Sequence, residues 1–285
     1  MKCNSSYFLV KLFGKYRNLK HPFERELAGI ETFEEWEYRR SNHSWKVFSS
    51  FLSLSQVFHN KKVVDIGCGG GGKSLALLQY KPLKVIGVDI NEDFIYKARR
   101  FAQKFEGHSE FICADAKNMP FDEDSVDIIT MLDAFEHLDQ PEQILKECWR
   151  VLKPCGKILI SFPPYYHPQG AHVSDLIPWP WVHLFFSKKA LARAYAELSF
   201  SREDGERRRQ LKCNFDGKAW SMDYINEMTI RKAEHIIRQL DFQLKYFKLV
   251  PLRKVVAPLV RIRGFREFFT HTVALVLEKG GNSNK

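Results

Sequence analysis

The chain predicts an α/β fold, a doubly wound sheet with a helical cover before it and a cap inserted in it. Three observations predict this. Short apolar, β-branched runs recur at 63–66, 85–88, 126–132 and 157–162, the pattern of strands buried on both faces. Helical patterns separate most of these runs, and strand–helix alternation implies parallel strands joined by crossovers. A turn of consecutive glycines, Gly67-Cys68-Gly69-Gly70-Gly71-Gly72, follows the first run directly, where such sheets bind ligands.

Taken in order, residues 24–58 read as two helices. Ile30, Phe33 and Trp36 share one face of the first, and Trp45, Phe48 and Leu52 one face of the second. Tyr38, Arg39 and His43 are lid candidates over the ligand edge. Val63 to Ile66 is the first strand, and Ser74 to Leu78 continues from the glycines as a helix whose N–H groups could receive a polar ligand. Lys84 to Asp89 and Glu110 to Asp115 are strands that end in acids, and Asp93 is a candidate cap for the helix between them. Val126 to Leu132 is the fourth strand. Pro141 starts a helix carrying Ile144, Leu145, Cys148 and Leu152, broken at Lys153-Pro154-Cys155-Gly156 before a fifth strand. Residues 163–225 are too long for a plain loop and read as a cap, with one helix from Ser187 to Leu198. A helix with Ala233, Ile236, Ile237 and Leu240 precedes two final strands, Phe242 to Leu249 and His271 to Glu278, and the tail from Gly280 reads as disordered. The division is therefore a helical cover over 1–60 and a ligand-binding domain over 61–285, with the cap at 163–225.

Composition sets limits. Apolar residues make up 45% of the 285 and can fill a core, and there is no apolar run of the length a membrane span needs. Met1 to Lys20 mixes cations with apolar residues and reads as no leader, which places the protein in the cytoplasm, with peripheral contact at a membrane surface open to it. Six scattered cysteines without a C-x-x-C pair read as reduced thiols. A net charge of +10 permits an anionic partner, and Arg207-Arg208-Arg209 reads as a solvated run.

The glycine turn fits two patterns. Gly67, Gly69 and Gly72 satisfy G-x-G-x-x-G of dinucleotide sites. Asp65 with Gly67, Gly69 and Gly71 satisfies D-x-G-x-G-x-G. That second pattern resembles motif I of the class I S-adenosylmethionine-dependent methyltransferases. The resemblance extends over Val85 to Asp89, Cys113 to Phe121, Ser125 to Leu138 and Arg150 to Gly156, in the branch that includes ubiquinone and menaquinone biosynthesis enzymes. It implies a Rossmann-like, seven-stranded sheet whose last strand is antiparallel. It also implies S-adenosylmethionine as cofactor and S-adenosylhomocysteine as product. Carried over, Gly67, Gly69 and Gly71 pack against the methionine part and Asp65 meets its amino group. Asp89 accepts from the ribose hydroxyls, Ile90 lies against adenine, and Asp115 takes the adenine amine beside the Ala116 N–H. Asp133 passes the methionine end.

Methyl transfer to a hydroxyl or phenol gains from a general base, and His137, His167 and His172 are the candidates. Asp133, Glu136 and His137 form D-x-x-E-H, similar to the E-x-x-E-H metal ligands of some ubiquinone-pathway O-methyltransferases, with His167 or His172 able to complete a set. With Asp in place of the first Glu, a divalent metal is weighed but no ligand is assigned. In the cap, Tyr165, Tyr166, Trp179, Trp181, Phe185 and Phe186 suit a lipophilic pocket, a membrane interface or the cap's own core. The expected activity is methyl transfer to an O or N atom of a small or lipid-linked acceptor. An RNA methyltransferase, an NAD-dependent oxidoreductase and a non-catalytic S-adenosylmethionine-binding protein are the alternatives.

Overall fold

Alternation of side chains along buried strands builds the sheet in the computed structural model, which describes residues 5–14, 32–202 and 204–281, with nothing said of the Arg207 side chain. The strands are β1 (Lys62–Ile66), β2 (Lys84–Asp89), β3 (Ser109–Cys113), β4 (Val126–Leu132), β5 (Leu152–Phe162), a short pair β6 (Asn214–Phe215) and β7 (Trp220–Ser221), then β8 (Phe242–Pro251) and β9 (Thr270–Lys279). Seven form one sheet in the order β3-β2-β1-β4-β5-β9-β8. Its first five neighbours run parallel, and β9 runs antiparallel to both β5 and β8. The expected sheet, antiparallel last strand included, is therefore present.

The helices are α1 (Ser5–Phe13), α2 (Phe33–Ser49), α3 (Leu54–Phe58), α4 (Gly72–Leu75), α5 (Glu92–Ala102), α6 (Pro141–Val151), α7 (Val182–Phe185), α8 (Lys188–Ser199), α9 (Gly205–Lys212), α10 (Ile230–Arg238) and α11 (Arg266–Phe269). On one face of the sheet, Val64, Ile86, Ile129 and Ile158 pack with Ile144 and Leu145 of α6 and Ala233 and Ile236 of α10. On the other, Val63, Val85, Ile128 and Leu159 pack with Trp45 and Phe48 of α2 and Phe58 of α3. Neighbours such as Val63 and Val64 thus serve opposite cores, as the period of two requires.

Several expectations need correction. Trp36 and Trp45 sit on one continuous helix capped by Thr32, not on two. They are nine residues apart (45 − 36), two and a half turns, so they point to opposite sides and serve different partners. Ile30 lies outside the described residues, as does most of the tail from Gly280. Asn91, not Asp93, caps α5, accepting from the Asp93 and Phe94 N–H groups. The helix after the glycines is a single α turn continuing as a 3-10 segment, Ala76–Tyr80, so its end is a weak electrostatic feature. Lys153 to Gly156 belong to β5, with Cys155 at φ 63.

Within the expected cover, α1 faces the cap. Leu9 and Phe13 of α1 join the cap, burying against Leu191 and Tyr195 of α8 and Val173, Ile177 and Met222. The cap thus has a core of its own. Asp175 anchors it, accepting from the Tyr195 hydroxyl at 2.7 Å and pairing with Arg208 and Lys212. Arg209 lies 3.9 Å from the centre of the Phe200 ring. Arg208, Arg209 and Lys212 are therefore engaged within the cap, contrary to the solvated run expected.

Candidate active site

Glycine at 67–72 is required by close approach. A Cβ on Gly67, at φ 70, would sit 2.7 Å from the Ala134 Cβ. On Gly72 it would sit 2.3 Å from the Glu34 carbonyl oxygen, and on Gly70 2.3 Å from the Glu34 side chain. Helix α2 therefore lies directly on the turn, and the third glycine of G-x-G-x-x-G admits that helix.

This packing brings in acids that the sequence reading missed. Glu37 is pushed up to about 7, chiefly by burial, with Lys73 opposing and Asp65, Glu34 and Asp133 reinforcing. Its Oε2 is buried without a hydrogen-bond partner. Lys73, on α4, donates to the Leu132 carbonyl at 3.2 Å and pairs with Asp133 at 3.0 Å. Burial would lower the Lys73 pKa, but Asp133 and Glu37 outweigh it and keep the amine charged. Tyr38 and Arg39, expected as lid residues, are engaged elsewhere. Tyr38 packs on Phe101 and Phe105, and Arg39 pairs with Glu35.

The expected cofactor residues gather along the carboxyl edge of β1, β2 and β4. Asp89 ends β2, where its Oδ2 accepts from the Gly69 N–H and its Oδ1 from the Asn91 N–H, both at 2.9 Å. Each oxygen keeps a lone pair for a further donor. Ile90 beside it is 73% exposed, an apolar face free to meet a base. Asp115 is partly exposed, with Oδ1 accepting from the Lys117 N–H, and Ala116 is buried in the core. Asp65 has little exposure at this edge. It is buried, with Ser74 Oγ donating to one oxygen at 2.5 Å and Thr130 Oγ1 to the other at 2.6 Å. It ties β1 to α4 and β4, while Glu37 nearby has an unpartnered oxygen.

The D-x-x-E-H set divides. Asp133, at φ 52, turns to Lys73. Glu136 is buried, its pKa raised well above the usual carboxylate range by burial and then by Asp133, and its Oε2 has no partner. His137 Nδ1 lies 3.0 Å from the Tyr224 carbonyl oxygen. A carbonyl only accepts, so Nδ1 carries the proton and Nε2 is the basic nitrogen, 3.8 Å from Glu136 Oε1. Burial lowers the His137 pKa below 6.5. The His172 ring stands 5.0 Å from that of His137, and burial holds its pKa down to about 3. Donor atoms of Glu136, His137 and His172 lie within 4.8 Å of one another, close enough for a small cation. His167 is not part of this group. It is buried, accepts from the Gln169 N–H and faces His271. Asn226, also missed, clamps the loop by donating to the Phe135 and Leu138 carbonyls, both at 2.8 Å.

The cap aromatics separate as well. Trp181 donates to the Tyr166 carbonyl, and Tyr166 stacks on Phe268. Trp179 and Phe185 are exposed, at 37% and 70%. Among the described residues no disulfide joins the five cysteines, and Cys113 and Cys155 are exposed.

The fold is Rossmann-like, and its carboxyl edge gathers the carboxylates of Asp89, Asp115 and Glu37. Comparison with known proteins agrees. Residues 64–160 match the methyltransferase domain family. A stretch of 135 residues is 36% identical to the ubiquinone biosynthesis O-methyltransferase of Coxiella burnetii, covering 45% of this chain and 57% of that one. The chain thus spans little more than half that relative's length. Over 113 residues it is 34% identical to 24-methylenesterol C-methyltransferase 2 of Arabidopsis thaliana, covering 39% and 31% of the two chains. The solved structure of a SAM-dependent methyltransferase from Methanosarcina mazei superposes with a TM-score of 0.53 at 19% identity, covering 83% of this chain and 98% of that one. Over residues 64–160 this chain is similar to methyltransferase domains, and its fold is shared with solved S-adenosylmethionine-dependent methyltransferases.

Proposed function

We propose that the protein methylates an O or N atom of a small, lipophilic or lipid-linked acceptor, using S-adenosylmethionine. One observation carries the choice of cofactor. The turn is overhung by Glu34 and Glu37, the latter with an unpartnered buried oxygen, and Lys73 is already paired. Such a pocket suits a ligand with an ammonium and a sulfonium, and it opposes the pyrophosphate of NAD. The engagement of Arg208 by Asp175 and of Arg209 by the Phe200 ring argues against an RNA-binding role for those two side chains.

Bound S-adenosylmethionine supplies an electrophilic methyl group. Asp89, fixed by two backbone N–H groups, would receive the ribose hydroxyls, with Ile90 against adenine and Asp115 at the adenine amine. Glu37 would take the ammonium. His137, oriented through Tyr224, would accept the acceptor's proton at Nε2, and holding the two reactants in line contributes much of the rate. His172 neighbours that nitrogen, and His167 supports the loop that carries it. Incubation with methyl-labelled cofactor and a panel of lipophilic phenols and amines tests this. A labelled product on O or N is expected, and a label on carbon, or on none of the panel, would refute the acceptor class.

The convergence of Glu136, His137 and His172, with Glu136 Oε2 unpartnered, favours a second reading of the same pocket. These three would hold a divalent cation, which would acidify an acceptor hydroxyl. Metal analysis after chelation and reloading, beside thermal melting, tests it. Stoichiometric uptake lost in Glu136→Gln supports it, and no uptake leaves His137 as the base.

A further inference from the structure

The β8–β9 crossover is a second feature at the carboxyl edge. Strand β8 is antiparallel to β9, which is antiparallel to β5, so β8 runs with the parallel strands and its end at Pro251 lies on the edge where β1 and β4 end. Between Leu252 and Arg266 the chain has five cations and no acid. Arg266 is held by Glu234 through two bonds. Arg253, Lys254, Arg261 and Arg263 are exposed and form no ion pair among the described residues. Apolar side chains stand between them in the open, with Val255 exposed at 81% and Ile262 and Phe265 each at 49%. Arg261, Arg263 and Arg266 also border an open groove of about 540 Å³ floored by Phe247, Leu249 and Val260.

The crossover is fixed to the body. Buried Glu267 accepts from the Ile230 and Arg231 N–H groups, both at 2.9 Å, and so caps α10. Phe268 stacks on Tyr166, and Phe269 meets Trp181 edge-on. That contact joins it to the cap segment bearing the exposed Trp179 and Phe185. Unpaired cations interleaved with exposed aliphatic and aromatic groups are complementary to anionic headgroups above acyl chains. A nucleic-acid backbone would use the cations and leave Val255 and Ile262 without a role.

We propose that this crossover docks the protein on an anionic lipid bilayer, with the active-site edge turned toward the membrane. Sedimentation of the full chain with phosphatidylcholine vesicles, and with vesicles containing roughly a third phosphatidylglycerol, tests this. Binding is expected only to the anionic vesicles and should fall with salt. Each cation near such a surface is worth about fivefold, so Arg261→Gln with Arg263→Gln should weaken partitioning about 25-fold. Val255→Ser with Ile262→Ser should weaken it about tenfold. All these positions are exposed, and unchanged S-adenosylhomocysteine binding by each variant would verify the fold. Failure of wild type to bind anionic vesicles would overturn the proposal. So would unchanged binding by either double variant, or salt-sensitive capture of single-stranded RNA through the same arginines with no effect of the apolar pair. None of these results depends on which acceptor is methylated.

Discussion

Replacing Glu37 by Gln should weaken cofactor binding while stabilising the free protein. Burial pushes this carboxyl from 4.5 up to about 7, and its Oε2 lacks a partner. A carboxyl with a folded pKa above its unfolded value binds more protons when folded, so stability is lost as pH rises from about 4.5 to about 7. The loss is at most about 3.5 kcal/mol above pH 7, for a rise from 4.5 to about 7 at about 1.4 kcal/mol per pH unit. Glutamine carries no such penalty, so Glu37→Gln should melt a few degrees above wild type at about pH 8, with the difference shrinking toward pH 5. Binding responds in the opposite sense. An ammonium beside Glu37 favours the ionised form, so wild type releases up to one proton on binding below pH 7, and its affinity rises toward pH 7 and then levels. A charge-assisted hydrogen bond is worth roughly 1.5–3 kcal/mol, so the variant should bind about 10- to 150-fold more weakly at pH 8. Calorimetry in two buffers of different ionisation enthalpy, across pH 6–8, reads both the affinity and the proton. Equal affinity of variant and wild type, or no proton release by wild type, would refute the assignment of Glu37 to the ligand.

Asp89→Ala removes the ribose acceptor and frees the Gly69 and Asn91 N–H groups, so calorimetry should show at least a 100-fold loss of S-adenosylmethionine affinity. Gly72→Ala brings a Cβ against the Glu34 carbonyl and should cost about 1–3 kcal/mol in denaturant unfolding, with a weakened cofactor site because α2 must shift. His137→Ala should lower turnover about 10²- to 10⁴-fold while cofactor binding persists. Because the His137 pKa lies below 6.5, the wild-type rate should hold through neutral pH and fall only on acidification beneath that value, an acid limb that the variant lacks.

Local signals were legible in the sequence. Asp89 closes a buried strand beside the glycine turn, and Asp115 follows the edge strand β3 by two residues, so both acids stand at the carboxyl end of the sheet. What depends on distant packing was not. Asp65 reads as a ligand at the strand end, but its burial and its bonds from Ser74 and from Thr130, 65 positions away, are set by packing. Glu34 and Glu37 reach the turn only because α2 packs on Gly72. The faint trace in sequence is that their neighbours four residues on are Tyr38 and Ser41, whereas Glu35 has Arg39. Asn91 caps the helix two positions before Asp93, a difference that propensity does not resolve. The arginine run looked like surface because Asp175, its partner, lies 33 residues from Arg208.

Titration of the purified protein with S-adenosylhomocysteine and, separately, NADH tests the cationic-nucleoside pocket most directly. Micromolar binding of S-adenosylhomocysteine, abolished in Asp89→Ala, with no binding of NADH is the predicted result. Binding of NADH with no response to S-adenosylhomocysteine would contradict it.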